Sequence, residues 1–333
     1  MADLTDPGDR LERLARKLEP GLRESFFDAV GLITDAFTIA ALEVLLERGY
    51  TDEALAIAET AAGKIGSAWT RTYIDSGHET ANWLSRKLDD VVIDFDEVNE
   101  RAVEAMRANK LRLVREFSEK QREATKEALE QGVRDGANPR QQAINFRRSI
   151  GLTKKQVQWV NNYRKSLESG SVDALQRQLR DRRFDAAVRR HIDGSIPLTS
   201  RDIDKLVERY RERMIKYRSE VIARTEALTA VHESQQQTYF QAIQDGIFRA
   251  DQLEREWATA KNERVRASHR PMHNQTRGID EPFISGNGNE IRFPTDPQAP
   301  ADDRIQCRCT VSVRITDLSS VRGPISVGLE ATQ

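Results

Sequence analysis

Cysteine is nearly absent: the 333 residues hold two, Cys307 and Cys309, too few for a disulfide framework and suited to synthesis in a reducing compartment. Aromatic side chains make up only 6%, which argues against one large compact core. No apolar run is long enough to span a bilayer. The most apolar stretch, residues 29–46, is interrupted by Asp35 and Glu43, and its spacing is that of a packed amphipathic helix. The opening Met1–Pro7 has neither a basic n-region nor an apolar h-region, so no secretory signal is expected. Common enzyme signatures are missing as well: there is no Gly-rich phosphate loop, no Gly-x-Ser-x-Gly and no His-Glu-x-x-His.

Charge is plentiful, at 32% of residues, and segregated beneath a net of −1. Residues 1–100 carry 10 basic and 21 acidic side chains, residues 101–220 carry 29 and 17, and residues 221–333 carry 13 and 15. Such asymmetry has two readings. The acidic and basic helices pack on each other within one molecule, or the basic part, 101–220, faces nucleic acid or an acidic protein surface.

Before Gly246 the pattern is helical almost throughout. Leu22, Phe26, Val30, Ile33, Phe37, Ala41 and Val44 recur at steps of three and four, with Pro20-Gly21 ahead and Gly49 as the stop. Thr51 opens a second helix carrying Leu55, Ala58, Ala62, Ile65, Trp69 and Tyr73, which Ser76-Gly77 is expected to end before another over 78–90. A long helix from about Asp96 to Arg134 turns Val98, Ala102, Met106, Val114, Phe117 and Leu129 inward. Asn138-Pro139 starts the next, and Thr153 with Gln156 forms a capping box for another. Thr199-Ser200-Arg201-Asp202 then opens the longest helix, whose ~45 residues would span about 68 Å. Its face includes Ile203, Leu206, Tyr210, Met214, Tyr217, Val221 and Leu228. Beyond Gly246, turns rich in Gly, Pro, Asn and Asp separate short extended runs, and Gly286-Asn287-Gly288-Asn289 marks a hairpin or loop.

The fold class expected is therefore mainly α: a long-helix N-terminal body followed by a small α+β C-terminal domain with an antiparallel sheet. The segments are an acidic helical one at 1–100, a basic helical one at 101–198, a bridging helix at 199–246, the α+β domain at 247–318 and a tail at 319–333.

Residues 304–315 alternate without a fault, with Ile305, Cys307, Cys309, Val311, Val313 and Ile315 on one face, as a half-buried strand would. Both cysteines then face the core side, about 6.6 Å apart along the strand. Residues i and i+2 of a strand diverge from bridging geometry, so no disulfide is expected. The plain reading is two small buried apolar residues. The sharper one is a zinc site: His269, His273, Cys307 and Cys309 make a candidate Cys₂His₂ set. Against it, Cys-x-Cys is tighter than the usual gap, and Pro271 interrupts any helix that would align the histidines.

Four motifs fall in one order here: Ile222-Ala223-Arg224-Thr225-Glu226 on a helix, Glu256-Trp257, Arg266-Ala267-Ser268-His269, and Cys307-Arg308-Cys309 after Phe293-Pro294 and Asp296-Pro297. In this order, over roughly residues 220–315, they resemble the Mu F-like family, minor head (head-morphogenesis) proteins of tailed bacteriophages. Residues 132–167 also look like the helical region that precedes the family's C-terminal domain. In the family pattern the position of His273 is usually acidic or polar, which weakens a ligand role there.

The resemblance implies a structural virion protein with no catalytic activity, aiding head assembly and DNA packaging or delivery. The implied partners are the portal protein, the major capsid protein and genomic DNA through residues 101–220. Its place would be the portal vertex of the capsid, and the host cytoplasm during assembly. Arg224, Glu226, Trp257, Arg266, His269 and Arg308 are expected to form a buried network that fixes the sheet on the long helix, with Glu226 paired to Arg266 or Arg308. No cofactor is expected under this reading, zinc excepted. The competing class is a metal-dependent hydrolase or transferase built on the same C-terminal His/Arg/Glu/Cys cluster. A helical nucleic-acid-binding protein is a third and weaker reading.

Overall fold

The computed structural model describes residues 4–48, 51–88, 90–260, 263–319 and 321. In chain order it contains β1 (Leu4–Asp6), α1 (Gly8–Ala36), α2 (Ile39–Glu47), α3 (Thr51–Lys87), α4 (Glu100–Arg134), α5 (Pro139–Ser149), α6 (Lys154–Glu168), α7 (Asp173–Gln176), α8 (Asp185–Ile192), α9 (Ser200–Gln244), β2 (Leu253–Ala258), β3 (Thr276–Gly278), β4 (Phe283–Ile284), β5 (Glu290–Ile291), α10 (Ala301–Arg304) and β6 (Thr310–Ile315). The protein is mainly α with a small antiparallel sheet near its C-terminal end.

The chain divides into two compact units, each assembled from separate stretches. One comprises residues 1–23, 66–111 and 221–333; the other comprises 24–65 and 112–220. These units cut across the sequence blocks drawn from charge, and α1, α3, α4 and α9 contribute residues to both.

In the first unit the sheet runs β1-β6-β2-β3, antiparallel throughout, with Trp257 opposite Val311 and Leu253 opposite Ile315. The sheet is built round α9, whose stretch 225–242 is buried almost without interruption. This is a polar helix in a core position, and its glutamines explain how that is tolerated. Gln235 donates to Asp6 (2.7 Å), Gln236 to the Ile279 carbonyl (3.0 Å) and Gln237 to Asn99 (3.1 Å). Gln241 donates to the Asp96 carbonyl and accepts from the Asp96 N–H, both at 2.8 Å. Each amide thus finds an acceptor outside the helix, a backbone carbonyl or a side-chain oxygen.

The second unit follows its capping chemistry. Asn138 caps α5 with Pro139 in the first turn, and Thr153 and Gln156 cap α6 reciprocally. Gly151 sits at φ +82, where an added Cβ would also meet Val30 at 3.1 Å. Arg218 is buried between the rings of Phe26 and Phe117 at 5.5 and 5.6 Å, and burial pushes its pKa down to about 10.

Several expectations are corrected. The first helix starts at Gly8, not after Pro20, and runs through the proline to Ala36; Leu11 and Leu22, fully buried on either side, offset the lost hydrogen bond. It breaks at Phe37-Thr38, where Thr38 accepts from the Ala41 N–H and caps α2. The expected stop at Gly49 lies outside the described residues. Gly77 does not end a helix but lies inside α3, where the Phe95 ring takes the space of its side chain: a Cβ there would meet ring atoms at 2.5 Å. The next helix starts at Glu100, so Val98 is 77% exposed, and on α9 Tyr217 is exposed while Arg218 is buried. The closing strand is shorter than its alternation predicts. Residues 301–304 are helical, Gln306 adopts a left-handed φ of 59°, and only Thr310–Ile315 joins the ladder.

No single helix among the described residues is long and apolar enough to cross a membrane; α1 and α2 would qualify jointly, but they are bent by 67°.

Candidate functional site

All the C-terminal motifs lie in the first unit. Trp257 stands in β2 opposite Val311 and is fully buried, edge-on to His269 at 5.7 Å and to Phe283 at 5.2 Å. Arg266 and His269 are the two ends of a single turn, closed by the His269 N–H to the Arg266 carbonyl at 3.0 Å. That turn is clamped from two sides. Arg266 donates to the carbonyls of Asp303 and Ile305, and the Gly286 N–H donates to the Ser268 carbonyl at 2.7 Å. Gly286 has no room for a side chain, since a Cβ would lie 3.0 Å from Pro271 and 3.2 Å from that carbonyl.

Past Ile305 the chain brings Cys307 and Cys309, both buried, onto the same ring nitrogen. His269 Nδ1 lies 3.5 Å from Cys307 Sγ and 3.6 Å from Cys309 Sγ, and the three ligand atoms fall within 4.8 Å of one another. The other ring nitrogen, Nε2, faces Asp303 Oδ1 at 3.3 Å. Asp303 is itself held by Ser268 (2.7 Å) and Asn289 (2.8 Å). Burial works to raise its carboxyl pKa, but those hydrogen bonds and the charges of His269 and Arg266 outweigh it and hold the group below the usual carboxylate range. The two thiols split in opposite directions. Cys307 is drawn well down by the hydrogen bond from Cys309, despite burial, with help from His269. Cys309, the donor of that bond, is pushed up by it and by burial, while the Trp257 N–H and the Arg266 charge pull it the other way. A cavity of about 170 Å³ opens beside the cluster, lined by Arg264, Arg266, Gln306 and Arg308 among others.

The remaining expected residues are placed as follows. His273 is outside the cluster; its Nδ1 accepts from the Thr259 N–H at 3.3 Å. Arg224 pairs with Glu12 at 3.6 Å, Glu226 is buried on α9, and Arg308 is exposed beside the cavity. The middle residue of Arg-Thr-Glu reaches the cysteine segment: Thr225 Oγ1 accepts from the Gln306 N–H at 3.3 Å. The Phe293-Pro294 and Asp296-Pro297 stretch is a turn tied to α9 by Thr229, which donates to the Thr295 carbonyl at 3.0 Å, and locked by Arg292 on Asp296 at 2.7 Å. Sequence reasoning missed Thr225, Ser268, Asn289 and Asp303. Thr225 and Ser268 stand inside the motifs that were read and Asn289 inside the Gly286–Asn289 turn signal, while Asp303 carries no local signal.

A long helix, an antiparallel sheet and a buried Cys/His cluster at their junction define a domain with a fixed polar centre. Residues 198–312 match the family described as Phage Mu protein F like protein, so this part of the chain is Mu F-like. The match begins two residues before α9 and leaves the helices at 132–167 outside it. No curated protein and no solved structure matches the chain.

Proposed function

We propose that the protein is a structural minor head protein of a tailed bacteriophage, built on or near the portal at one capsid vertex, aiding head assembly and DNA packaging or delivery without catalytic turnover. The carrying observation is the Mu F-like match over 198–312, which supports a phage head-related protein and a virion component. The interior of that domain supports the non-catalytic reading: Arg266, Ser268, Asn289 and Asp303 are engaged with one another or with backbone carbonyls. The expected partners are the portal ring and, secondarily, the major capsid protein, with the host cytoplasm as the site of assembly. Mass spectrometry of purified particles should find the protein at far lower copy than the major capsid protein. Its absence from particles would overturn the reading, and a hydrolytic or transferase activity abolished by His269→Ala would replace it with the enzyme alternative.

A contact with genomic DNA through residues 101–220 is a separate part of the proposal. Residues 112–220, with 26 basic and 16 acidic side chains, share a compact unit with 24–65, which carry two and eight. Part of the basic excess is therefore offset within the unit, leaving a net of +4. The full chain should bind duplex DNA at low salt and lose that affinity steeply as salt rises, because phosphate contacts release counterions. No binding at low salt would leave charge pairing within the unit as the account of the segregation.

A further inference from the structure

We propose that His269 Nδ1, Cys307 Sγ and Cys309 Sγ bind one zinc ion, with water as the fourth ligand and His273 outside the site. Three independent features of the geometry lead there.

The first is spacing. A tetrahedral ion with metal–sulfur bonds of about 2.3 Å and metal–nitrogen bonds of about 2.0–2.1 Å holds its nitrogen and sulfur ligands about 3.5–3.6 Å apart. His269 Nδ1 stands 3.5 and 3.6 Å from the two sulfurs. Ordinary packing of an imidazole against two thiols does not require both distances to be equal, since a single Nδ1 lone pair accepts only one S–H.

The second is the carboxylate behind the ring. Asp303 faces Nε2 at 3.3 Å and is fixed there by Ser268 and Asn289. With a carboxylate on the Nε2 side, Nδ1 is the ring nitrogen turned to both sulfurs. This is the carboxylate–histidine–metal arrangement that orients ligating histidines.

The third is charge. The cluster is buried, and two thiolates there would be unstable alone. A divalent ion displaces both thiol protons to solvent and leaves the ion–dithiolate group neutral, while Asp303 is balanced by Arg266, whose guanidinium grips the Asp303 carbonyl. Two thiolates and an imidazole select zinc over magnesium or calcium. Among the described residues no fourth His, Cys, Asp or Glu joins the three, and the 170 Å³ cavity beside them admits water.

Bound there, the ion would pin the Arg266–His269 turn to the segment entering β6. The proposal stands apart from the minor-head reading: particle mass spectrometry tests one, metal content the other.

The test uses the tag-free full chain purified from zinc-supplied cells. Elemental analysis should give about one zinc per chain. Replacement by cobalt should produce a thiolate-to-cobalt charge-transfer band and the intense visible bands of a tetrahedral site. Cys307→Ser combined with Cys309→Ser should abolish both signals, His273→Ala should leave both intact, and Asp303→Asn should weaken zinc about 10–100-fold in chelator competition. Sub-stoichiometric zinc with no tetrahedral cobalt spectrum in the wild-type chain overturns the proposal, whatever the variants do. Full zinc retention by the double cysteine variant, or loss of zinc in His273→Ala, overturns it equally.

Discussion

Trp257→Ala should destabilise the unit that contains the sheet by roughly 3–5 kcal/mol, the usual cost of deleting a large buried aromatic side chain. Trp257 is fully buried and packs with Met272, Phe283, Ile291, Cys307, Cys309 and Val311, so its removal opens a cavity that strand residues on both sides line. The neighbours cannot collapse into that space without moving His269, which touches the ring edge-on and is held from behind by Asp303. Trp257→Phe keeps the aromatic packing against Phe283 and should recover most of the loss. Urea denaturation followed by circular dichroism, with hydrogen exchange resolving β2 and β6, gives the comparison. A shift below about 1 kcal/mol for the alanine variant would mean that the domain repacks around the cavity and that Trp257 is no anchor.

What the sequence made legible follows from how local its causes are. The start of α9 was readable because Thr199 and Asp202 satisfy each other's turn: the Asp202 N–H donates to Thr199 Oγ1 at 3.2 Å and the Thr199 N–H to Asp202 at 3.0 Å. The caps of α5 and α6 were readable for the same reason. Residues 285–289 join β4 to β5, as the glycines and asparagines at 286–289 suggest. The misses are places where a distant partner decides. Gly77 carries every mark of a helix end, yet Phe95 needs the empty side of that glycine and the helix continues past it. Three residues of β1 are too few to signal a strand, and they form one because β6, some three hundred residues later, offers an open edge. The alternation holds as burial at 306–309 but not at 304–305, where Arg304 is buried and Ile305 half-buried. None of 304–309 joins the ladder, because the backbone turns at Gln306 to bring both cysteines onto one histidine. The glutamine-rich part of α9 is core, since its amides find backbone and side-chain partners that no local pattern announces. At the site itself the motifs named His269, Arg266 and both cysteines; Asp303, which faces the histidine's Nε2 at 3.3 Å, lies in a stretch that reads as a loop.

Arg255→Met should cost about 3 kcal/mol or more, because it removes one charged donor shared by three carbonyls in a buried site. Arg255 lies in β2 and is nearly fully buried, with burial pushing its pKa down to about 10. Its guanidinium donates to the carbonyls of Gly278 (3.1 Å), Arg292 (2.6 Å) and Glu281, and it lies 5.1 Å from the centre of the Phe283 ring. One side chain therefore ties the end of β3, the turn before β4 and the exit from β5 to the strand that carries Trp257. Methionine fills the volume but removes the guanidinium from all three carbonyls, of which that of Gly278 also accepts from the Glu281 N–H at 3.2 Å. Arg255→Lys separates charge from shape. An ammonium keeps the cation but is a compact point charge, whereas the planar fork reaches three carbonyls that diverge in space. If the fork is what matters, the lysine variant should be destabilised nearly as much as the methionine variant, and hydrogen exchange over residues 276–292 should rise in both. A lysine variant as stable as wild type would show that the positive charge alone holds the loop, and would remove Arg255 from the set of residues that shape the Mu F-like domain.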